Sequence, residues 1–157
     1  MSASGWPFGP LAMFGFDVAM IDPPWHFDLR SPAGAAKSPQ AHYRTMTVDE
    51  VAALPVGQLL APGGVVFLWC TWPLVARGDH ARILGRWGYP ASTGGIWAKR
   101  TRTGRLRWGP GYVVRSVCEP WFVGLAPGAR VRGSGVCNLI ETLTDASLDG
   151  LARAHSR

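Results

Sequence analysis

Apolar positions run almost without a break through Phe16-Asp17-Val18-Ala19-Met20-Ile21-Asp22, and Pro23-Pro24 stops them. A short continuous apolar run of this kind predicts a strand buried on both faces. Val65-Val66-Phe67-Leu68-Trp69, entered through the turn residues Pro62-Gly63-Gly64, predicts a second. Gly94-Gly95-Ile96-Trp97-Ala98-Lys99 and Glu119-Pro120-Trp121-Phe122-Val123-Gly124 predict a third and a fourth. Between them the period lengthens to that of a helix. Thr47-Val48-Asp49-Glu50 is a capping box, the Thr hydroxyl and the Glu carboxylate each satisfying a backbone N–H, and it opens a helix toward Pro55. A longer helix is predicted from Thr71 to Trp87, with Leu74, Ile83, Leu84 and Trp87 apolar and Gly88 as its stop. Ser147 to His155 predicts a last helix. Residues 26–46 show no period and predict a long loop of about 20 residues, a length usually reserved for function or mobility.

Buried strands alternating with helices predict an α/β fold with a mainly parallel sheet. Ligands of such sheets bind at the carboxyl ends of the strands, which places Asp22 and its followers at the site. The chain has 157 residues, enough for one domain over 1–157, with an irregular Gly- and Pro-rich arm over 1–15.

Composition narrows the class. Apolar residues make up 47% and charged residues 17%, so a core can form and disorder is excluded. The longest apolar runs fall far short of the ~20 residues of a membrane helix, and the amino terminus lacks the pattern of a secretory leader. A cytoplasmic protein is expected. Cys70, Cys118 and Cys137 are widely spaced, which suggests neither disulfides nor a metal site. Cys70 reads as a small core residue, a catalytic thiol being the alternative. Sixteen Lys and Arg against ten Asp and Glu give +6, and only Lys37 and Lys99 are lysines. Arginine binds phosphates bidentately and stacks on bases, so the bias fits a polyanionic partner. A GC-rich coding sequence would produce the same enrichment.

Asp22-Pro23-Pro24-Trp25 is the most informative feature. Its plain structural reading is a rigid turn out of the sheet. Its chemical reading starts from proline, which fixes φ and donates no hydrogen bond, so two in series hold a stiff backbone with outward carbonyls. A carboxylate beside them gathers acceptors around one point. An exocyclic base amine held there by both protons is drawn toward tetrahedral geometry, and its lone pair is freed to attack an electrophile. Trp25 would offer a stacking face, worth about 1–3 kcal/mol per base, and in a duplex the base must first be flipped out.

With these residues the chain resembles the MT-A-seventy family of N6-adenine methyltransferases, in its bacterial and phage DNA-methylating branch. The likeness extends through Trp6-Pro7-Phe8-Gly9, Ala41-His42-Tyr43-Arg44-Thr45-Met46, Ala53-Leu54-Pro55-Val56, Phe67-Leu68-Trp69 and Trp87-Gly88-Tyr89. It continues through Gly94 to Lys99, Arg115-Ser116-Val117-Cys118-Glu119-Pro120 and His155-Ser156-Arg157. The resemblance implies a Rossmann-like, three-layered fold with permuted motif order, S-adenosylmethionine as methyl donor and the adenine N6 of DNA, or else RNA, as acceptor. Asp22 and Pro23 would hold the amine, Pro24 would stiffen the turn and Trp25 would flank the base. Tyr43, Trp97, Lys99 and Glu119 would contact the substrate, while Asp22, Ser156 and Arg157 would contact the cofactor. For Tyr43 the plain alternative is a cap on the loop, and for the other three unremarkable strand-end positions.

The tetrapeptide also separates chemistries. Related cytosine-N4 enzymes usually begin it with Ser, and cytosine-C5 enzymes need Cys after Pro; neither occurs here. Lys99, Arg100, Arg102, Arg105 and Arg107, bent by Gly104 and closed by Trp108, would clamp phosphates, or else form a solvated loop. Measured against the family pattern, the chain stops at Arg157, before further cofactor-site elements, so a continuation or a homo- or hetero-oligomeric partner is expected to complete it. A reading from another class is a nucleic-acid-binding module or partner subunit with a degenerate methyltransferase fold that does no chemistry.

Overall fold

The structure, a computed structural model, describes residues 6–26, 44–109, 111, 113–129 and 135–143. The elements are β1 (Phe16–Ile21), α1 (Val48–Ala53), a 3-10 turn (Val56–Gln58), β2 (Leu60–Trp69), α2 (Trp72–Ala76), α3 (Asp79–Arg86), β3 (Ala91–Arg100), β4 (Cys118–Leu125) and β5 (Leu139–Leu143). They build one five-stranded sheet in the order β1-β2-β4-β3-β5. β1 runs parallel to β2 and β3 parallel to β5, whereas β4 is antiparallel to both β2 and β3. The sheet is therefore mixed, not mainly parallel. Among the described residues no helix separates β3 from β4, and the two strands pair antiparallel.

Local chemistry explains most boundaries. Thr47 Oγ1 accepts from the Glu50 N–H (3.2 Å) and Glu50 Oε2 accepts from the Thr47 N–H (2.8 Å), the complete capping box that opens α1. Those bonds hold the Glu50 carboxyl below its usual range. The helix expected from Thr71 to Trp87 is broken into α2 and α3 by Gly78, whose φ of +75° suits a residue without a Cβ. Gly88 ends α3: its N–H donates to Gly85 O (3.1 Å) and the Tyr89 N–H donates to Leu84 O (2.9 Å), the two bonds of a Schellman closure. Pro62-Gly63-Gly64 lies inside β2 instead of before it. Phe16 pairs with Leu60 and Val18 with Val65, so three extra residues bulge outward there. β5 was not foreseen, and the helix expected over 147–155 lies outside the described residues.

Alternation divides the sheet into two unlike faces. Ala19, Val66 and Leu68 point to the face covered by α1 and α3, where Val51, Ile83, Leu84 and Trp87 complete the core. The buried Trp87 indole N–H donates to Val51 O (3.2 Å) and fastens the helices together. Among the described residues no helix covers the other face, which carries Met20, Phe67, Trp69, Trp121 and Trp97. No described helix is long and apolar enough to cross a membrane.

Candidate active site at the carboxyl end of β1

β1 delivers Asp22 to the end of the sheet, and the following residues are strapped down by backbone bonds. The Trp25 N–H donates to Pro23 O (2.8 Å), a three-residue turn across Pro24. The Met46 N–H donates to Pro24 O (2.7 Å) and the His26 N–H to Met46 O (2.9 Å), so the segment entering α1 pairs with this turn. His26 Nδ1 also lies 3.0 Å from Thr45 Oγ1. The two proline carbonyls are thus not both free. Pro24 O serves the Met46 N–H, and Pro23 O, engaged by the Trp25 N–H, has one lone pair left among the described residues.

Trp25 also takes a different place from the one expected. It is 6% exposed and packs in the hydrophobic core, so its ring is not offered to a base. Its indole N–H is buried without a partner. The residue anchors the turn from below.

The register brings other groups to Asp22. Met20 pairs with Phe67, Trp69 with Trp121, Gly95 with Trp121 and Trp97 with Glu119, so these positions share one face of the sheet. Asp22 is the next position on that face after Met20. Its carboxyl is pushed above the usual range first by burial and then by the negative charge of Glu119, while Lys99 pulls it down. Lys99 Nζ donates to Glu119 Oε1 in a short ion pair and stands 4.3 Å from the centre of the Trp97 ring. Trp97 is held by a hydrogen bond from its indole N–H to Thr142 Oγ1 (2.7 Å) and meets Trp69 edge-on at 5.8 Å. Four expected site residues, Asp22, Trp97, Lys99 and Glu119, therefore converge, with Trp69 as a fifth that reading by motif passed over. The signal was present: Trp69 ends β2 as Asp22 follows β1, in adjacent parallel strands.

This electrostatic triad yields a test. Glu119→Gln removes a charge that raises the Asp22 pKa, so Asp22 should deprotonate at lower pH. Lys99→Met removes a charge that lowers it, and deprotonation should move to higher pH. Titration of the Asp22 carboxyl by carbon-detected NMR checks both directions; shifts of the same sign would contradict the coupling.

The basic segment folds as a hairpin tip. The Thr101 N–H donates to Arg105 O (2.7 Å), the Gly104 N–H to Thr101 O (2.8 Å) and the Arg107 N–H to Lys99 O (2.7 Å), with Gly104 at φ +78°. Lys99 is committed to Glu119 and Arg100 to Glu141, so these two are ion-paired within the sheet. Arg102, Arg105 and Arg107 are exposed. Trp108 is exposed too, with the Arg115 guanidinium 5.4 Å from its ring centre.

Cys70 is buried in the core, and burial, followed by the charges of Asp22 and Asp79, pushes its thiol up to about 12. Such a group stays protonated and is no nucleophile near neutral pH. Tyr43, Ser156 and Arg157 lie outside the described residues.

A family model described as MT-A70 matches residues 16–141, from the start of β1 into β5. A search of the curated proteins finds no match.

Proposed function

Because this chain belongs to the MT-A70 family, whose members are S-adenosylmethionine-dependent methyltransferases, we propose that it methylates the N6 amine of adenine in nucleic acid, DNA in preference to RNA. On this reading its sheet belongs to a Rossmann-like methyltransferase domain. The observation that carries the proposal is the convergence of Asp22, Glu119, Lys99 and Trp97 at one end of the sheet.

The donor set at that end suits the cofactor: Asp22 and Glu119 against the single cation Lys99 leave one net negative charge, which favours a sulfonium. Asp22 would hold it among the described residues, and Ser156 and Arg157 would add to its binding. When bound, S-adenosylmethionine supplies a methyl group activated as an electrophile.

The chain's own residues supply the rest. The Asp22 carboxylate accepts from one N–H of the adenine amine, and the remaining lone pair of Pro23 O accepts from the other. Both bonds localise the nitrogen lone pair. As that pair is committed to the new C–N bond a proton must leave, and the raised pKa of Asp22 suits it to receive that proton. Trp97, braced by Trp69, offers the aromatic surface that Trp25 does not. Arg102, Arg105 and Arg107 stand on the same hairpin as Lys99, where they would hold phosphates beside the site.

The test is label transfer from radioactive S-adenosylmethionine to oligonucleotides with and without adenine. Transfer that requires adenine supports the reading, and equal transfer to both defeats it. Arg102→Glu, Arg105→Glu and Arg107→Glu together should weaken DNA binding and flatten its dependence on salt by roughly 0.9 for each phosphate no longer neutralised. A parallel, unchanged salt slope would remove the hairpin from the interface. The exposure of these arginines and Trp108 also fits a binding module without chemistry, which adenine-dependent transfer would exclude.

A further inference from the structure

All eight tryptophans fall among the described residues, and their burial separates them sharply. Trp25 and Trp87 lie in the core, and Trp6, Trp69, Trp97 and Trp121 are half-buried. Trp72 and Trp108 alone are exposed, at 42% and 61%. They are far apart in the sequence, yet the fold ties both to one short stretch of backbone.

The Trp72 indole N–H and the Ser116 hydroxyl donate to the same acceptor, Cys118 O (3.0 and 2.6 Å). The Gly109 N–H donates to Ser116 O (2.6 Å), which fastens the residue after Trp108 to that stretch. Arg115 Nε donates to Gly109 O (3.0 Å), and the Arg115 guanidinium stands by the Trp108 ring. This stretch leads directly into Glu119. Trp69 pairs with Trp121 and the Cys70 N–H donates to Pro120 O (2.9 Å), so the same register carried onward brings Trp72 level with Cys118. Both rings therefore stand at the rim of the site, outside the groups assigned to the chemistry.

Core packing does not account for either ring. Leu74, not Trp72, carries α2 into the core. A hydrogen bond from the indole N–H lies in the plane of the ring, so it fixes the edge of Trp72 and leaves the faces unengaged by it. A ring ordered in advance loses less freedom when a ligand stacks on it.

Charge chooses the occupant. Arg107 and Arg115, beside Trp108, are exposed. Aromatic rings set among arginines suit a chain of flat bases on a phosphate backbone, because every base has a π face and every phosphate a charge. An apolar protein segment would use the rings and leave the arginines idle.

We infer that Trp72 and Trp108 are positioning residues that stack on nucleobases next to the target nucleotide and so hold the strand across the rim of the site. The inference rests on nucleic acid being the substrate, as proposed above, and not on the methyl transfer itself. Arginines supply affinity that ignores the bases, and the two rings supply the part that requires them.

The experiment uses the 157-residue chain with two fluorescent single-stranded probes of equal length and charge. One is a thymidine oligonucleotide, which lacks adenine, and the other carries abasic sugars throughout. Fluorescence anisotropy should show the thymidine probe bound about tenfold more tightly or better. Trp72→Ala and Trp108→Ala should each remove about tenfold of affinity for the thymidine probe and leave affinity for the abasic probe, and the salt slope, unchanged. Trp108→Phe should restore most of the loss. Equal affinity of the unaltered chain for both probes overturns the inference, as do alanine variants that bind thymidine normally. Equal loss on both probes also overturns it, because the rings would then be structural. Adenine-dependent label transfer without base-dependent binding defeats this inference alone, whereas base-dependent binding without transfer defeats the proposed chemistry alone.

Discussion

Asp22→Asn should cost methyl transfer about a hundredfold to a thousandfold, the usual consequence of removing one acceptor or donor aimed at developing charge. The same substitution should leave the folded state as stable as before, or more so. The carboxyl is pushed up by burial and by Glu119, so its pKa in the fold exceeds that of the unfolded chain. A group of that kind releases its proton at the expense of stability. The cost is absent at pH below the unfolded value and grows as pH rises through the folded one. Asparagine, neutral throughout, escapes it at neutral pH. Thermal unfolding beside a transfer assay checks both halves. A variant that lost activity by unfolding would show Asp22 to be structural, and one with full activity would remove it from the chemistry.

Trp25→Ala should destabilise the fold by about 3–5 kcal/mol, the range for emptying an aromatic site in a core. The ring is 6% exposed and packs in the core cluster, and the turn it anchors is tied through Met46 to the start of α1. Trp25→Phe should cost much less, because the indole N–H has no partner to lose. Chemical denaturation of both variants reads this directly. If Trp25→Ala instead kept its stability and lost only nucleic-acid affinity, the ring would be a stacking surface after all.

Trp25 also shows where sequence reading reaches its limit. The strand before it was legible because an apolar run closed by two prolines has few other meanings. Thr47 with Glu50, and Gly88 after Trp87, were legible because caps depend on nearest neighbours. An aromatic residue beside a chemical motif is ambiguous, since stacking on a base and packing in a core ask for the same side chain. Only the pairing of Met46 with this turn, across the chain from β1 to α1, decides the matter. The break at Gly78 was hidden for a related reason: the apolar period of Leu74, Ile83 and Leu84 runs on past it, and a glycine inside such a pattern can be helical or not. β5 escaped because Leu139 and Ile140 are exposed and the segment is five residues long; its strand character comes from pairing with β3. Asp22, Lys99 and Glu119 were legible from motif and resemblance. That Asp22 feels both other charges follows from the order β1-β2-β4-β3, which no local pattern contains.

The central proposal is chemical: that the atom methylated is the exocyclic nitrogen of adenine, held at Asp22. The most direct measurement is mass spectrometry of the nucleosides released from DNA after incubation with the chain and isotopically labelled S-adenosylmethionine. The label is predicted in N6-methyl-2′-deoxyadenosine alone, and reduced about a hundredfold or more in the same digest after reaction with Asp22→Asn. Label in N4-methylcytosine, or undiminished N6-methyladenine with the Asn variant, would contradict the account.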